Sequence, residues 1–291
     1  MASPLISTVL CVRDGAQFVR EAVVTVLTQT VRDLELLVVD DGSSDATPQV
    51  LRDVEDPRLR VFRHETPVGP FAAANEALAR ARGVFIARLD ADDLCEPTRF
   101  ERQLAEFERR PDLGLLGSAC TRIDAEGRVL GQQAVPRGAD VLARCAVDPP
   151  FVHSSVMWRT SLGLAYAPEL LIGGDFELWS RALVHHEADN LDEPLVKYRE
   201  WAGSLSALRR DAQRAMHDAV SWRFVSARWP ALAGLLSEHR ALRAWALRTS
   251  DAPCPPEAVR FIDALSEASG ANRATLLAVS GALGQPRVHQ S

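Results

Sequence analysis

Residues 34–45 read LELLVVDDGSSD, a run of mostly apolar residues that ends in a cluster of acidic and small polar residues. The apolar part, Leu34 to Val39, has the length and the aliphatic composition of a buried β-strand. The polar part, Asp40 to Asp45, contains the Asp, Gly and Ser residues that a tight turn and a helix N-cap require. The stretch therefore predicts a strand that ends in a loop and leads into a helix, the unit from which α/β folds are built.

The same alternation of strand and helix recurs along the first ninety residues. Short aliphatic runs predict further strands at Leu5 to Cys11, Leu59 to Phe62 and Val84 to Leu89. Segments of helix length fill the gaps at Phe18 to Thr28, Ala46 to Val54 and Phe71 to Ala81. Repeated β-α units of this kind predict a Rossmann-like, mostly parallel sheet with helices on both faces, in which ligands bind at the carboxyl ends of the strands.

Beyond residue 95 this alternation stops. A helix is expected over 97–108, and a hairpin-like turn is expected over 124–127. From about Ser206 onward, Ala, Leu, Arg and Trp recur at helical spacings, with interruptions that include Pro230 and Gly270. This pattern predicts a C-terminal region of three or four helices, whose tryptophans belong to a core.

The composition is that of an ordinary globular protein. Apolar residues make up 47% of the 291 residues and charged residues 25%, so a folded core is expected. The net charge of -6 gives no basic surface for nucleic acid, whose binding depends on clustered Lys and Arg. No apolar run reaches the roughly 18 residues of a membrane-spanning helix, and the N-terminus lacks the pattern of a signal peptide. We therefore expect a cytoplasmic protein without an integral membrane segment, while peripheral membrane association stays open.

A second acidic cluster, Asp90-Ala91-Asp92-Asp93, follows the strand predicted at Val84 to Leu89. Three carboxylates at one strand end repel each other, which raises the pKa of at least one of them unless a cation is bound. Oxygen ligands suit a hard ion such as Mg²⁺ or Mn²⁺, which binds one or two carboxylates together with substrate phosphates. The cluster therefore predicts a divalent metal and a diphosphate ligand. The alternative is a solvated turn that caps the next helix.

Two features of the second half are candidates for the same site. Asp175 lies at a predicted helix start in the sequence GGDFELW, residues 173–179, and is either an N-cap or a general base that takes a proton from a hydroxyl. His153 precedes a strand-like run and is either a structural histidine or a polar group near ligand phosphates. The first cluster is ambiguous in the same way, although its three carboxylates exceed what one helix cap needs.

Several segments, in order along the chain, resemble the motifs of the family 2 glycosyltransferases with the GT-A fold. These segments are the opening strand and loop at 6–14, the helix at 22–29, Asp-Asp-Gly-Ser-x-Asp within 36–45, the Gly-x-x-x-Ala-x-Asn helix within 68–83, Asp-Ala-Asp-Asp within 86–97, and the base motif at 174–181. The resemblance covers about the first two hundred residues and leaves out the helical tail. It implies a catalytic domain at 1–204, with a nucleotide-binding half at 1–95 and an acceptor-binding half at 96–204, followed by a helical C-terminal region at 205–291.

By this resemblance the chain is expected to be an inverting, metal-dependent and non-processive hexosyltransferase. Its donor would be a nucleotide diphosphate sugar, with a UDP-sugar favoured. Its acceptor would be a hydroxyl group of a glycan, a glycolipid or another molecule, in bacterial surface polysaccharide or glycoconjugate biosynthesis. The expected cofactor is Mn²⁺ or Mg²⁺.

The resemblance also implies roles for single residues. Asp41 would accept a hydrogen bond from the nucleobase, Asp90 would lie near the ribose or the donor sugar, Asp92 would bind the metal, and Asp175 would be the base. The other expected contacts to the nucleotide sugar are Cys11, Arg13, Asn75 and His153. Tyr198, Arg199 and Trp201 resemble the segment that closes the catalytic domain.

The chain departs from the family pattern at four of these positions. Arg13 stands where the family often has an aromatic residue, and although a guanidinium plane can also stack on a base, this change leaves the nucleobase open. Asp14 replaces an Asn, Ala74 replaces an Arg, and Gly174 replaces the acidic residue before the base. The last change leaves the predicted base itself in place.

Other functions are weighed against this one. A nucleotidyltransferase would show a Gly-rich, basic phosphate loop after the first strand, and a phosphatase-like hydrolase would pair its Asp with Lys, Ser or Thr; neither pattern is present. The processive polysaccharide synthases would show a Gln-x-x-Arg-Trp motif, which is also absent. A non-catalytic module that binds a nucleotide sugar or a partner stays open, and donor hydrolysis would distinguish it from an enzyme.

Overall fold

The structure is a computed structural model that describes residues 3–246, 253–273 and 276. Its strands are β1 Ile6–Val12, β2 Leu34–Asp40, β3 Leu59–Arg63, β4 Phe85–Arg88, β5 Leu94–Cys95, β6 Leu113–Ile123, β7 Val129–Gln133, β8 Met157–Arg159 and β9 Glu187–Arg199. Its helices are α1 Val19–Leu27, α2 Thr47–Arg52, α3 Pro70–Arg80, α4 Arg99–Arg109, α5 Ala139–Cys145, α6 Gly174–His185, α7 Leu205–Leu208, α8 Arg210–Arg228, α9 Leu236–Ala246 and α10 Pro256–Ser269. Part of the predicted helical tail, at 247–252, 274, 275 and 277–291, lies outside the described residues.

Within the described part of the chain, nine strands form one sheet in the order β3-β2-β1-β4-β8-β6-β9-β5, with β7 paired to β6. The first four strands in this order are parallel, as the repeated β-α units predict. β8 then runs antiparallel to both of its neighbours, and β6 and β9 are again parallel. The predicted α/β fold is confirmed, and its sheet becomes mixed where the α/β alternation of the sequence stops.

β2 is buried along its whole length because both faces of the sheet are covered. Its alternate residues point to opposite faces. Leu36 and Val38 pack in a cluster that includes residues of α1, whereas Leu37 and Val39 pack in a cluster that includes residues of α3. A strand covered on both faces requires a nearly continuous apolar sequence, which is the pattern of residues 34–39.

β9 brings the second half of the chain back to the first half. It pairs in parallel with β6 and antiparallel with β5, where Leu94 lies opposite Lys197. Because Leu94 directly follows the acidic residues 90–93, the end of β9 lies beside them. The Arg199 N–H donates to the Asp93 carboxylate at 2.7 Å. The site at these strand ends therefore depends on both halves of the chain.

The C-terminal helices share a hydrophobic core with the sheet. Phe176 of α6, Phe224 of α8 and Phe261 of α10 belong to one buried cluster with residues of β1 and β2. Arg223 on α8 donates to the Glu177 carboxylate on α6 at 2.8 Å. The division at residues 204 and 205 stays a prediction, because the packing is continuous across it. In the described ranges, every helix is too short or too polar to span a lipid bilayer.

Candidate active site

The loop after β1 is fastened to residues 40–45, the first acidic loop. Asp14, whose φ is +52°, accepts hydrogen bonds from the Ser44 N–H at 2.7 Å and the Ser44 hydroxyl at 3.0 Å. The Asp14 N–H donates to the Ser43 hydroxyl at 2.9 Å. The Ser44 N–H is the main reason why the pKa of Asp14 is lowered. Asp14 thus organises the two loops, and its neighbour Arg13 holds a side chain that is 58% exposed at the rim.

Asp41, the second residue of the first acidic loop, fixes the backbone that leads into α3. Its Oδ1 atom accepts from the Val68 N–H at 2.7 Å and from His64 Nδ1 at 3.1 Å, while Oδ2 accepts from the Gly69 N–H at 2.9 Å. Gly69, with a φ of +102°, immediately precedes α3. Since a carboxylate oxygen can accept two hydrogen bonds, Oδ2 retains one position for a ligand. The nucleobase contact of Asp41 stays a prediction.

Cys11 lies near the end of β1, half-buried between the two acidic loops. The charges of Arg88, Asp90 and Asp41 all act on its thiol, which locates it between them. Burial raises the pKa of Cys11 to about 12, so the thiol is protonated at neutral pH. A protonated thiol can contact a ligand but is not a nucleophile.

Asp90 is the first residue of the second acidic loop, residues 90–93, and each of its two carboxylate oxygens contacts a side chain. Arg88 Nη2 donates to Oδ1 at 2.8 Å, and His153 Nδ1 lies 3.1 Å from Oδ2. The Asp90 N–H donates to the Ser154 hydroxyl at 3.0 Å. Burial opposes ionisation of Asp90, but the interactions with His153 and Arg88 outweigh it, so the pKa lies below its ordinary value. Asp90 is therefore a fixed carboxylate, and the structure brings the predicted residues Asp90 and His153 together.

Asn75 contacts the backbone of Tyr166, ninety-one residues later in the chain. Its amide N–H donates to the Tyr166 carbonyl at 2.9 Å, and its Oδ1 accepts from the Tyr166 N–H at 2.8 Å. Both polar groups of the side chain therefore have protein partners. Donor binding by Asn75 stays a prediction, whereas its contact with Tyr166 is one that the sequence did not predict.

The carboxylates of Asp92 and Asp93 accept fewer hydrogen bonds than two ionised carboxylates can accept. Trp201 Nε1 donates to Asp92 Oδ2 at 2.8 Å, and Asp93 accepts from the Arg199 N–H and from the Ser154 hydroxyl. Burial raises the pKa of both carboxyl groups, and the negative charge of Asp90 adds to the effect. The second acidic loop thus holds negative charge that its protein environment does not fully stabilise.

Arg199 and Trp201 are site residues to which the sequence assigned no definite role. Arg199 is buried, donates to the Asp92 carbonyl at 2.8 Å, and lies over the Phe18 ring at 4.5 Å. Trp201 packs edge-on against the same ring at 5.2 Å. The end of β9 therefore clamps the second acidic loop against α1. Their only signal in the sequence is the resemblance of 198–201 to a closing segment.

Asp175 is the second residue of α6, as the predicted helix start requires. Its carboxylate is half-buried and has no hydrogen-bond partner among the described residues. Its charge acts on Tyr166, which contacts His153 at 2.9 Å, so Asp175 lies on the same side as Asp90. Gly174 explains the departure from the family motif, because a Cβ atom there would lie 2.5 Å from the ring of Phe71.

The donor atoms of the second acidic loop fit a metal that is held mainly by a ligand. Among the described residues, no three or more His, Cys, Asp or Glu side chains are arranged to bind a metal ion by themselves. Both oxygens of Asp90 are occupied, whereas Trp201 is the only side-chain donor to Asp92 in the part of the chain that the structure describes. One carboxylate oxygen beside uncompensated negative charge suits Mg²⁺ or Mn²⁺ bound together with phosphates.

Comparison with known proteins points to the family that the sequence motifs resemble. The family described as Glycosyl transferase family 2 matches residues 7–141, which include both acidic loops. An uncharacterized glycosyltransferase of Methanocaldococcus jannaschii is 27% identical over 208 residues, which are 68% of this chain and 72% of that protein.

Two solved structures have a similar fold. S. aureus TarS 1-349 in complex with UDP-GlcNAc has a TM-score of 0.60 at 18% identity, over 96% of this chain and 92% of that one. The mannosyltransferase PcManGT from Pyrobaculum calidifontis, in complex with GDP-Man and Mn²⁺, has a TM-score of 0.56 at 18% identity, over 97% and 86% of the two chains. The likeness therefore extends past residue 204 into the C-terminal helices. Residues 7–141 therefore match the family 2 glycosyltransferases, and the chain has the GT-A fold of these solved structures.

Proposed function

We propose that this glycosyltransferase is inverting and metal-dependent, and that it transfers a hexose from a UDP-sugar to a hydroxyl group of a glycan, a glycolipid or a similar acceptor. The observation that carries the proposal is the Asp175 carboxylate, which lacks a hydrogen-bond partner among the described residues. Burial raises the pKa of Tyr166, whose hydroxyl contacts His153, and the negative charge of Asp175 is near enough to add to this effect. A carboxylate of this kind is available as a general base. The family suggests bacterial surface polysaccharide or glycoconjugate biosynthesis as the setting.

The nucleotide would bind at the first acidic loop. The free acceptor position on Asp41 Oδ2 suits an N–H group of the nucleobase, and the exposed guanidinium of Arg13 offers a plane on which a base can stack. Cys11 would contact the nucleotide from the end of β1. UDP is favoured because TarS, a protein of similar fold, has a complex with UDP-GlcNAc.

The diphosphate and the sugar would bind at the second acidic loop. Asp90 would accept hydrogen bonds from ribose or sugar hydroxyls, and Asp92 would hold Mn²⁺ or Mg²⁺ together with the phosphates. When bound, such an ion stabilises negative charge on the leaving diphosphate. The fixed orientation of Asp90 between Arg88 and His153 means that little reorganisation is needed during the reaction.

Asp175 would accept the proton of the acceptor hydroxyl. The acceptor oxygen then forms a bond to the anomeric carbon while the bond from that carbon to the diphosphate oxygen breaks. The electron pair of the broken bond leaves with the diphosphate. A single displacement of this kind inverts the configuration at the anomeric carbon.

Asp175→Asn tests the proposed base. We expect UDP release from the donor, with water or an acceptor hydroxyl as the nucleophile, to fall by about 10²- to 10⁴-fold, because the amide cannot take up the proton. The Kd for UDP should stay unchanged, since Asp175 does not bind the nucleotide. Asp211→Asn is a matched control, because Asp211 is also in the first turn of a helix, α8, and is exposed.

Two measurements complete this test. Thermal-shift measurements with nucleotide diphosphates, with and without Mn²⁺, would identify the base, because a ligand that binds only the native state raises its apparent stability. Proton NMR of the product would give its anomeric configuration. A product that retains the donor configuration, or full activity in Asp175→Asn, would refute the proposed mechanism. A wild-type protein that binds UDP but never releases it from a UDP-sugar would be a binding module instead.

A further inference from the structure

A continuous chain of polar contacts links Tyr166 to the second acidic loop. The Tyr166 hydroxyl lies 2.9 Å from His153 Nε2, and His153 Nδ1 lies 3.1 Å from Asp90 Oδ2. His153 begins a short 3₁₀ turn just before β8, whereas Tyr166 lies in the irregular segment before α6. The chain therefore joins three segments that are distant in sequence.

The chemistry of the three groups assigns the direction of these hydrogen bonds. An ionised carboxylate only accepts, so His153 Nδ1 carries the proton that faces Asp90. In the neutral ring, Nε2 is then an acceptor, and the Tyr166 hydroxyl is its donor. Burial raises the pKa of Tyr166, so the hydroxyl keeps its proton. Tyr166 thus stabilises the ring orientation and the tautomer in which His153 donates to Asp90.

Tyr166 itself is held rigidly by α3. Asn75 binds both its N–H and its carbonyl, and Phe71 stacks on its ring with 5.3 Å between ring centroids. The side chain of Tyr166 is buried. A residue with two backbone hydrogen bonds and a stacked ring has little freedom to move. The position of α3 is therefore transmitted through Tyr166 to His153.

Asp90 is the end point of this chain, and it has a second support. Arg88 donates to its other oxygen, and Arg88 is anchored by a hydrogen bond to the Val9 carbonyl at 2.8 Å. Arg88 also interacts with the Tyr166 hydroxyl. Removal of that hydroxyl would leave the Arg88–Asp90 hydrogen bond in place but would free the imidazole to rotate. Asp90 would then keep its charge and lose one of the two groups that orient it.

We propose that Tyr166 and Asn75 are positioning residues of the donor site, with Asn75 fixing Tyr166 and Tyr166 fixing the His153 ring that orients Asp90. The proposal rests on the proposed function, because it takes Asp90 as a ligand of the ribose or sugar. It also changes the expected role of Asn75, which acts on the donor through Tyr166 and not by direct contact.

Tyr166→Phe is the main test, because it keeps the stack on Phe71 and removes only the hydroxyl. The Kd for UDP with Mn²⁺ and the KM for the UDP-sugar should rise about tenfold, the size of effect that loss of an outer hydrogen-bond partner has at metal sites. The value of kcat should change less than KM, because the group does not touch the reacting atoms. Asn75→Asp, which keeps an acceptor for the Tyr166 N–H and loses the donor to its carbonyl, should act in the same direction.

A double-mutant cycle separates positioning from a merely structural role. In a His153→Ala background, Tyr166→Phe should have no further effect on the Kd for UDP, because the two residues act in series. ¹⁵N NMR gives a readout that needs no activity: the His153 signals, assigned by difference from His153→Ala, should report an Nδ1–H tautomer in the wild type and a mixture in Tyr166→Phe.

The outcomes are distinct. An unchanged tautomer and an unchanged Kd in Tyr166→Phe would overturn the proposal, as would an equal loss of affinity in the His153→Ala background. If Tyr166→Phe does not fold, Asn75→Asp and the wild-type tautomer decide the same question. If the wild type binds UDP but does not turn over, the proposed function fails while the NMR and Kd measurements still test the contact chain.

Discussion

The two acidic loops are built from the same residue types but differ in how their negative charge is stabilised. At the first loop the pKa of Asp14 is lowered, mainly by the Ser44 N–H, and the pKa of Asp45 is lowered because Thr47 outweighs the opposing effect of burial. At the second loop burial and neighbouring charge raise the pKa values of Asp92 and Asp93. Asp14 and Asp45 are thus stabilised as carboxylates by their surroundings, whereas Asp92 and Asp93 are not.

The origin of the difference is the supply of N–H donors. The first loop follows parallel strands and turns so that the N–H groups of Ser44, Val68 and Gly69 point at carboxylates. The second loop lies under the end of β9, where Asp92 and Asp93 receive hydrogen bonds from the Trp201 side chain, the Ser154 hydroxyl and the Arg199 backbone N–H. An acidic sequence is therefore not by itself a cation site, because the number of donors around it decides how much charge is left for a cation.

The largest expected effect separates Asp92 from Asp45. Asp92→Asn should lower the rate of UDP release by about 10²- to 10³-fold, because the charge that would hold the metal and the leaving diphosphate is lost. Calorimetric titration should show that Mn²⁺ no longer strengthens UDP binding. The matched change Asp45→Asn should leave the rate within about a factor of two, since Asp45 only organises its loop. Equal metal and nucleotide affinity in Asp92→Asn and the wild type would refute the assignment of the metal to Asp92.

For the free energy of unfolding we expect the opposite order, with a larger loss at the first acidic loop than at the second. Asp41→Ala leaves the N–H groups of Val68 and Gly69 without their acceptor, and should lower the free energy of unfolding by about 3 kcal/mol. Asp92→Asn should change it by less than about 1 kcal/mol, because relief of repulsion offsets the lost hydrogen bond. Urea denaturation at neutral pH measures both values. If Asp41→Ala were as stable as the wild type, the account of the first loop as a compensated scaffold would be wrong.

Glu35 extends the comparison to the pH dependence of stability. Like Asp14 and Asp45, it is a carboxylate whose pKa is lowered by its surroundings. Burial opposes its ionisation, but hydrogen bonds from Arg82, Ser7 and Arg60 lower the pKa of Glu35 to about 2 from an ordinary value of 4.5. A lowered pKa means that the stabilisation is fully present above about pH 4.5 and is lost as the pH falls towards 2.

Glu35→Gln should therefore cost about 2 kcal/mol of unfolding free energy at pH 7, and the difference from the wild type should shrink as the pH falls below about 4.5. Urea denaturation at a series of pH values measures this difference. A gap between the two proteins that stays constant down to pH 3 would show that the carboxylate is not selectively stabilised.

Local sequence patterns were sufficient for elements of the first ninety-five residues and for one later hairpin. The predicted strand at Leu34 to Val39 is observed as Leu34–Asp40, and the predicted helix at Phe71 to Ala81 as Pro70–Arg80. The hairpin turn at 124–127 lies between β6 and β7, with Gly127 at a φ of +83°. These elements have strong periodicity or turn residues that specify them locally.

Long-range contacts account for what the sequence did not predict. β9 contains Glu187, Asp189, Asn190 and Pro194, residues that disfavour strands, and it is a strand because it pairs with β6 through shifts of register. The contacts of Asn75 with Tyr166 and of Trp201 with Asp92 join residues about a hundred positions apart, for which a single sequence has no signal. The candidate residues were predicted, but not the partners that fix them.

Gly174 has a consequence for protein engineering. Because any side chain there would collide with Phe71, the start of α6 is positioned directly on α3, and Asp175 is positioned with it. A library that varies the surroundings of Asp175 should therefore keep Gly174 and should not enlarge residue 71, so that Asp175 keeps its distance from α3.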